Sequence, residues 1–149
     1  MRTILCISFL LLAITTIKAQ EETDSVKVIV NNLFKAMLLS DSVAFHGCFA
    51  PEAIMQTVEK DKLNKTTVRS EFVAEVAGIL KKFPAGTAEE KMTFDLIRID
   101  GDLALVWAPY QFYFGGKLLH CGVNCIQLVR LAEGWRIQYI IDTRRLEGC

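Results

Sequence analysis

Apolar residues recur every three or four positions from Val26 onward: Val26, Val30, Leu33 and Met37 share one face of a helix over VKVIVNNLFKAML. Thr23, Asp24 and Ser25 offer oxygens to cap its start. The helix is expected to stop near Ser40-Asp41, which can cap a short second helix, SVAFHGCF, limited by Gly47 and Pro51. AIMQTV (53–58) suits a short strand, and the polar run EKDKLNKTT reads as a loop that contains the glycosylation sequon Asn64-Lys65-Thr66. Thr66 or Thr67 then caps a third helix, VRSEFVAEVAGILKKF, with Phe72, Val76, Ile79 and Phe83 as its expected buried stripe and Pro84 and Gly86 at its end. From Lys91 the pattern changes to alternation. MTFDLIRI runs to a tight-turn signal at Asp100-Gly101, LALVWAPYQFYF returns, Gly115-Gly116 turns into KLLHCGVNCIQLVRL, and Ala132-Glu133-Gly134 leads into WRIQYIIDTRR.

The order is therefore two helices, a short strand, a helix and four long antiparallel strands. Helices followed by a run of strands indicate an α+β fold, with the helices covering one face of a bent antiparallel sheet. No internal repeat, low-complexity stretch or linker divides the chain.

This order resembles the nuclear transport factor 2-like superfamily, in its SnoaL-like and lumazine-binding branch. The resemblance rests on VIVNNLFKAMLLSD, on FAPEA after the second helix, and on GDLALVWAPYQFYFGGKLLHCGVNCIQLVRLAEGWRIQYIIDTRR, with HCGVN, GW and DTRR the most specific parts. It implies a cone, of cystatin-like α+β type, in which a curved sheet wraps over three N-terminal helices around a pocket, and a homodimer formed through the open sheet face. The family contains isomerases, dehydratases, cyclases and epoxide hydrolases beside non-catalytic binders, so the resemblance implies a pocket without naming a reaction.

Register indicates which residues line that pocket. A two-residue turn at Gly115-Gly116 places Gln111 opposite His120 and Trp107 opposite Asn124, with Tyr113 and Leu105 on the same face. At the last turn, a three-residue connection pairs Leu131 with Trp135 and brings Asp142 and Arg144 to the Asn124 face. A two-residue connection at Glu133-Gly134 brings Tyr139 and Thr143 there instead. The first is preferred because it separates a polar face from an apolar one. His120 and Asp142 are then candidate catalytic residues, as a general acid/base pair, with Tyr113 as proton donor. Trp107, Asn124, Arg144 and, from the second helix, His46 are candidate ligand-binding residues.

Lys+Arg and Asp+Glu both number 17, so no net charge attracts nucleic acid, and 52% hydrophobic residues argue against disorder. Part of the apolar content is ILCISFLLLAITTI, which follows Arg2 and precedes Ile17-Lys18-Ala19. That is the pattern of a secretory signal cut near Ala19, leaving one domain, residues 20–149, exported to the periplasm or medium without a membrane anchor. The run is interrupted by Ser8, Thr15 and Thr16 and falls short of the roughly 18 apolar residues of a span.

The exported chain keeps Cys48, Cys121, Cys125 and Cys149. Cys121 and Cys125, four residues apart on one strand, are separated by roughly 13 Å and cannot bridge each other, so any disulfide uses Cys48 or Cys149. A zinc set from His46, Cys48, His120, Cys121 and Cys125 is disfavoured, because neighbouring strand residues point to opposite faces and no Cys-x-x-Cys knuckle is present. No glycine-rich phosphate loop precedes a helix. The expectation is a binder of a small hydrophobic or aromatic organic molecule, without turnover, metal or cofactor. A lyase or isomerase using the pocket residues is the alternative.

Overall fold

A computed structural model describes the backbone of residues 2–149 and the side chains from residue 20 onward; the side chains of the expected signal segment, residues 1–19, lie outside what is described. The elements are α1 (Arg2–Leu38), α2 (Ser42–Gly47), β1 (Phe49–Lys60), β2 (Thr66–Phe72), α3 (Val73–Leu80), β3 (Ala88–Met92), β4 (Leu96–Asp100), β5 (Leu103–Phe114), β6 (Lys117–Leu131) and β7 (Gly134–Thr143). The strands form one curved sheet in the order β2-β1-β7-β6-β5-β3, with β4 also on β5. The sheet stays open at both edges, and the helices lie on its concave face.

The helical face of α1 is the one the spacing predicts: Val26, Val30 and Leu33 are buried, with Ala36 beside them, and Met37 packs against this core at partial exposure. The helix runs through Thr23–Ser25 instead of starting there. α2 begins where expected, because Asp41 Oδ1 accepts from the backbone N–H groups of Val43 (3.1 Å) and Ala44 (2.9 Å).

The segment 59–72 departs from expectation. Thr66 to Phe72 forms a strand paired with Lys60 back to Ile54. The hairpin is closed by Asp61, whose carboxylate accepts from the N–H groups of Leu63 (2.8 Å) and Lys65 (2.9 Å), while Asn64 takes a left-handed φ of 59° that asparagine tolerates. The helix therefore starts only at Val73, and its buried stripe moves by one residue to Val73, Ala77 and Leu80. Phe72, expected inside, points outward and is 73% exposed.

β1 also differs. It runs for 12 residues and pairs in parallel with β7, so the sheet is mixed and not wholly antiparallel. The expected single strand after Lys91 is two pieces, because its neighbour carries Pro109. Thr93 N–H donates to Pro109 O (3.0 Å), and proline has no N–H to return on that side, so regular pairing lapses between Met92 and Leu96. The turn into β5 falls at Gly101-Asp102, one residue later than the signal suggested.

Two bulges decide the rest. After the expected two-residue turn at Gly115-Gly116, Leu118 pairs with Tyr113 but His120 pairs with Phe112, so Leu119 is the extra residue. From there inward Asn124 faces Ala108, not Trp107. The last turn takes two residues, Ala132 and Glu133, and Leu131 pairs with Gly134. A shift between Gln127 and Leu128 then restores Asn124 opposite Asp142, the preferred expectation reached by another route. Ala104, Val106, Ala108, Ile126, Leu128 and Ile137 close the apolar core beneath α1.

Cys121 and Cys149 form a disulfide across a Cα separation of 5.6 Å, consistent with the expectation that a bridge would use Cys48 or Cys149. Cys48 and Cys125 are free thiols.

Candidate functional site

Between the concave sheet face and the helices lies a cavity of about 270 Å³, near the lower end of the range for small-molecule sites. The helices supply only apolar walls, among them Leu33, Phe34, Met37, Phe45, Val76 and Leu80. Among the described residues the ionisable lining comes from the strands, as Glu71, Glu90, Tyr110, His120 and Asp142, and from Arg144 just beyond β7, with Asn124 among them. The cavity thus has an apolar body and one polar end.

Asp142 is the hub of that end. Its neighbours across the ladder are Asn124 on β6 and Thr57 on β1, both buried. Thr57 Oγ1 donates to Asp142 Oδ1 (2.6 Å), and Oδ2 accepts from Tyr110 Oη (2.9 Å) and from Arg144 Nε (3.1 Å). Three donors on one carboxylate, two neutral and one cationic, hold it in place.

The Tyr110 hydroxyl also lies 3.0 Å from the Thr143 carbonyl and 3.3 Å from His120 Nδ1. With its proton directed to Asp142, Oη accepts from His120 in the tautomer that protonates Nδ1, leaving Nε2 as an acceptor. Burial, followed by the Asp142 charge, raises the Tyr110 pKa, so the phenol remains a donor. Burial and the Arg144 charge lower that of His120 against the opposing pull of Asp142, so the imidazole is neutral near pH 7. Phe112 stacks on the His120 ring with centroids 4.9 Å apart.

A glycine makes this meeting of strands possible. A Cβ on Gly122 would sit 1.7 Å from the Thr143 carbonyl oxygen and 3.0 Å from the Tyr110 ring. Without a side chain there, the backbone of β7 folds in far enough for its carbonyl to reach the Tyr110 hydroxyl.

Glu90 stands apart from the hub. Asn124 Nδ2 donates to its Oε1 (2.6 Å). The residue keeps some accessible surface because it faces the cavity, yet its carboxyl is enclosed by protein. Desolvation pushes its pKa up to about 8; the nearby Asp142 charge adds to this, and the Asn124 hydrogen bond and Arg144 offset part of it. Two of the three carboxyl groups in the cavity therefore differ in role: Asp142 is ion-paired, and Glu90 is held as the neutral acid at pH 7.

No family model and no curated protein matches the chain. Among solved structures, an NTF2-like protein of unknown function from Shewanella baltica superposes with a TM-score of 0.67 at 15% identity, covering 84% of this chain and 94% of that one. The fold is NTF2-like. A domain of unknown function with a cystatin-like fold from Nostoc punctiforme gives 0.63 at 14% identity over 86% of this chain and 80% of that one. A candidate dehydratase from the NTF2-like family of Streptomyces avermitilis gives 0.62 at 18% identity over 86% and 99%. At such identities the likeness concerns the fold alone.

Within this NTF2-like cone, four of the residues singled out from the sequence, His120, Asn124, Asp142 and Arg144, come together at the polar end. Three lie elsewhere. Trp107 faces out from the convex side and is 42% exposed, because the bulge at Leu119 moves its strand by one residue. Tyr113 is on that outer face too, donating to Gln111 Oε1 (3.0 Å) with Lys91 over its ring. His46 is exposed on α2, in a shallow surface dip between α2 and α3. Tyr110, Phe112, Thr57 and Glu90 take inner positions that the regular register does not assign. A signal for Glu90 exists: Ala88, Glu90 and Met92 alternate, which would have extended the strand upstream of Lys91.

Proposed function

We infer that this is an exported homodimeric protein that binds a small, mainly apolar organic molecule in the NTF2-like cone. The observation that carries the reading is the cavity itself: an apolar body walled by three helices, ending in a compact polar cluster suited to orienting one ligand group. Export is supported by Arg2 and the apolar run before Ala19. Dimerisation is supported by the open convex face, where Ile54, Val68 and Phe72 are exposed on the adjoining strands β1 and β2, and Trp107 is exposed on β5. Native mass spectrometry of protein purified from its own compartment, followed by release of bound material, tests the reading. A co-purified small molecule at one per chain is the expected result. A clean apo protein whose melting temperature no compound pool raises would overturn it.

A second reading, a lyase or isomerase, is favoured by the free Nε2 of His120 beside the Tyr110–Asp142 pair and the neutral acid Glu90. These supply an acceptor and a proton donor within one cavity, and the Streptomyces avermitilis neighbour carries the same fold. Its distinguishing result is chemical alteration of the released compound by wild-type protein but not by His120→Ala.

A further inference from the structure

One carboxyl group of the cavity has no cationic partner among the described residues. Asp142 is paired with Arg144, and Glu71 with Arg69. Glu90 has only the Asn124 amide: among the described residues no cation pairs with it, and its second oxygen makes no hydrogen bond. Phe34, Phe45, Phe83, Tyr110, Phe112 and Phe114 line the same cavity, and aromatic faces attract cations most strongly where water is excluded.

We propose that the cavity is a site for a small apolar primary amine, bound as its ammonium with Glu90 as counter-ion and aromatic rings around its body. This rests on the small-molecule reading above and names the ligand's class. An anionic ligand would meet three carboxyl groups and one guanidinium already engaged by Asp142. A neutral carbonyl compound would take a hydrogen bond from Glu90 but leave the aromatic lining without a cation to hold. The ammonium matches both features: its N–H groups satisfy the second oxygen, and its charge takes the place of the proton that burial keeps on the carboxyl.

The proton balance follows directly. The ligand enters as R–NH3+, the Glu90 O–H bond breaks, and the proton leaves to solvent; no covalent bond to the ligand forms. The groups facing Glu90 are Glu71 from β2, Tyr110 from β5, His120 from β6, Asp142 from β7 and Arg144 just after it, while among the described residues α1, α2 and α3 present only apolar side chains to the cavity. His120 is neutral at pH 7 and above, because burial and the Arg144 charge hold its pKa below the ordinary value. Between that pH and about 8, the group that changes charge is Glu90.

Calorimetric titration of the full chain with 2-phenylethylamine and with the isosteric neutral 2-phenylethanol, at several pH values and in two buffers of different ionisation heat, tests this. The expected result is an amine affinity that rises about sixteenfold from pH 6.5 to 8, most steeply at the acid end and flattening as Glu90 approaches its pKa. At pH 7 close to one proton is released per amine bound, and at pH 8 the amine binds at least about tenfold tighter than the alcohol. In Glu90→Gln, checked as folded by near-ultraviolet circular dichroism, the preference for the amine and its pH slope both disappear. Alcohol binding as tight as amine binding in the wild type, or an unchanged amine affinity in Glu90→Gln, overturns the amine assignment and leaves the small-molecule reading standing. If folded wild-type protein binds neither probe, the amine assignment falls, and with it a binding role for molecules of this size.

Discussion

Glu90→Gln also measures how much the enclosed carboxyl costs the fold. In the folded chain Glu90 takes up its proton at about pH 8, against 4.5 for the free group. Between these pH values the folded state holds a proton that the unfolded state has lost. Stability from this group is therefore full below pH 4.5, falls as pH rises, and is gone above about 8. At about 1.4 kcal/mol per pH unit the ceiling is about 5 kcal/mol. Rearrangement of the cavity around the charge reduces that to roughly 2–3 kcal/mol. Glutamine keeps the oxygen that accepts from Asn124 and does not titrate. Urea denaturation of both proteins at pH 5, 7 and 9, followed by circular dichroism, should give near-equal stabilities at pH 5. The variant should gain progressively, to be more stable by roughly 2–3 kcal/mol at pH 9. His120 acts in the opposite sense, with stability lost as pH falls, but it is common to both proteins and drops out of the difference. Parallel curves, with the difference constant across this range, would refute the assignment of Glu90 as a neutral acid.

Gly122→Ala places a methyl group against the Thr143 carbonyl, which is backbone and cannot rotate away. Strand displacement that carries Asp142 and Thr143 away from the Tyr110 hydroxyl should destabilise by about 3 kcal/mol and lower the melting temperature by roughly 10 °C; a fall under about 2 °C would show that β7 yields freely. Cys149→Ser opens a disulfide between residues 28 positions apart, for which chain entropy gives a loss of about 3.6 kcal/mol. Wild-type protein in dithiothreitol should melt with the variant, and a variant as stable as the oxidised protein would show that the bridge leaves the unfolded chain unconstrained.

The parts of the fold legible in the sequence are those where one local signal dominates. The stripe Val26, Val30, Leu33 fixes α1, and the alternation from Leu103 to Ile141 with paired glycines fixes three strands. The order of these elements carries the NTF2-like resemblance that the structural neighbours support. Thr66 to Phe72 escapes because TTVRSEF also suits the first turns of a helix. Its strand state depends on pairing with β1 and on the Asp61 side chain closing the hairpin. The parallel contact of β1 with β7 joins residues some 85 positions apart, such as Thr57 and Asp142, a separation no window along the chain can sense.

The polar end of the cavity was half legible for a related reason. The Gly115-Gly116 turn pairs Phe114 with Lys117, whereas the core pairs Val106 with Ile126, and these two registers differ by one residue. Extending the turn register inward would carry Trp107 into the core and turn Val106 out of it, which apolar burial forbids. The mismatch is absorbed at Leu119, beside His120, and the inner positions there pass to Tyr110 and Phe112. On the other side of β6, a regular ladder from Leu131 and Gly134 would set Ile141 opposite Asn124 and turn Asp142 outward; the shift after Gln127 reverses both. The Tyr110–Asp142–His120 cluster thus exists because two ladders fall out of step and recover around one strand, with Gly122 supplying the gap where they meet. Residues already on β6 or set by the recovered register, namely His120, Asn124, Asp142 and Arg144, could be read from the sequence. Those whose inner position depends on the Leu119 bulge could not.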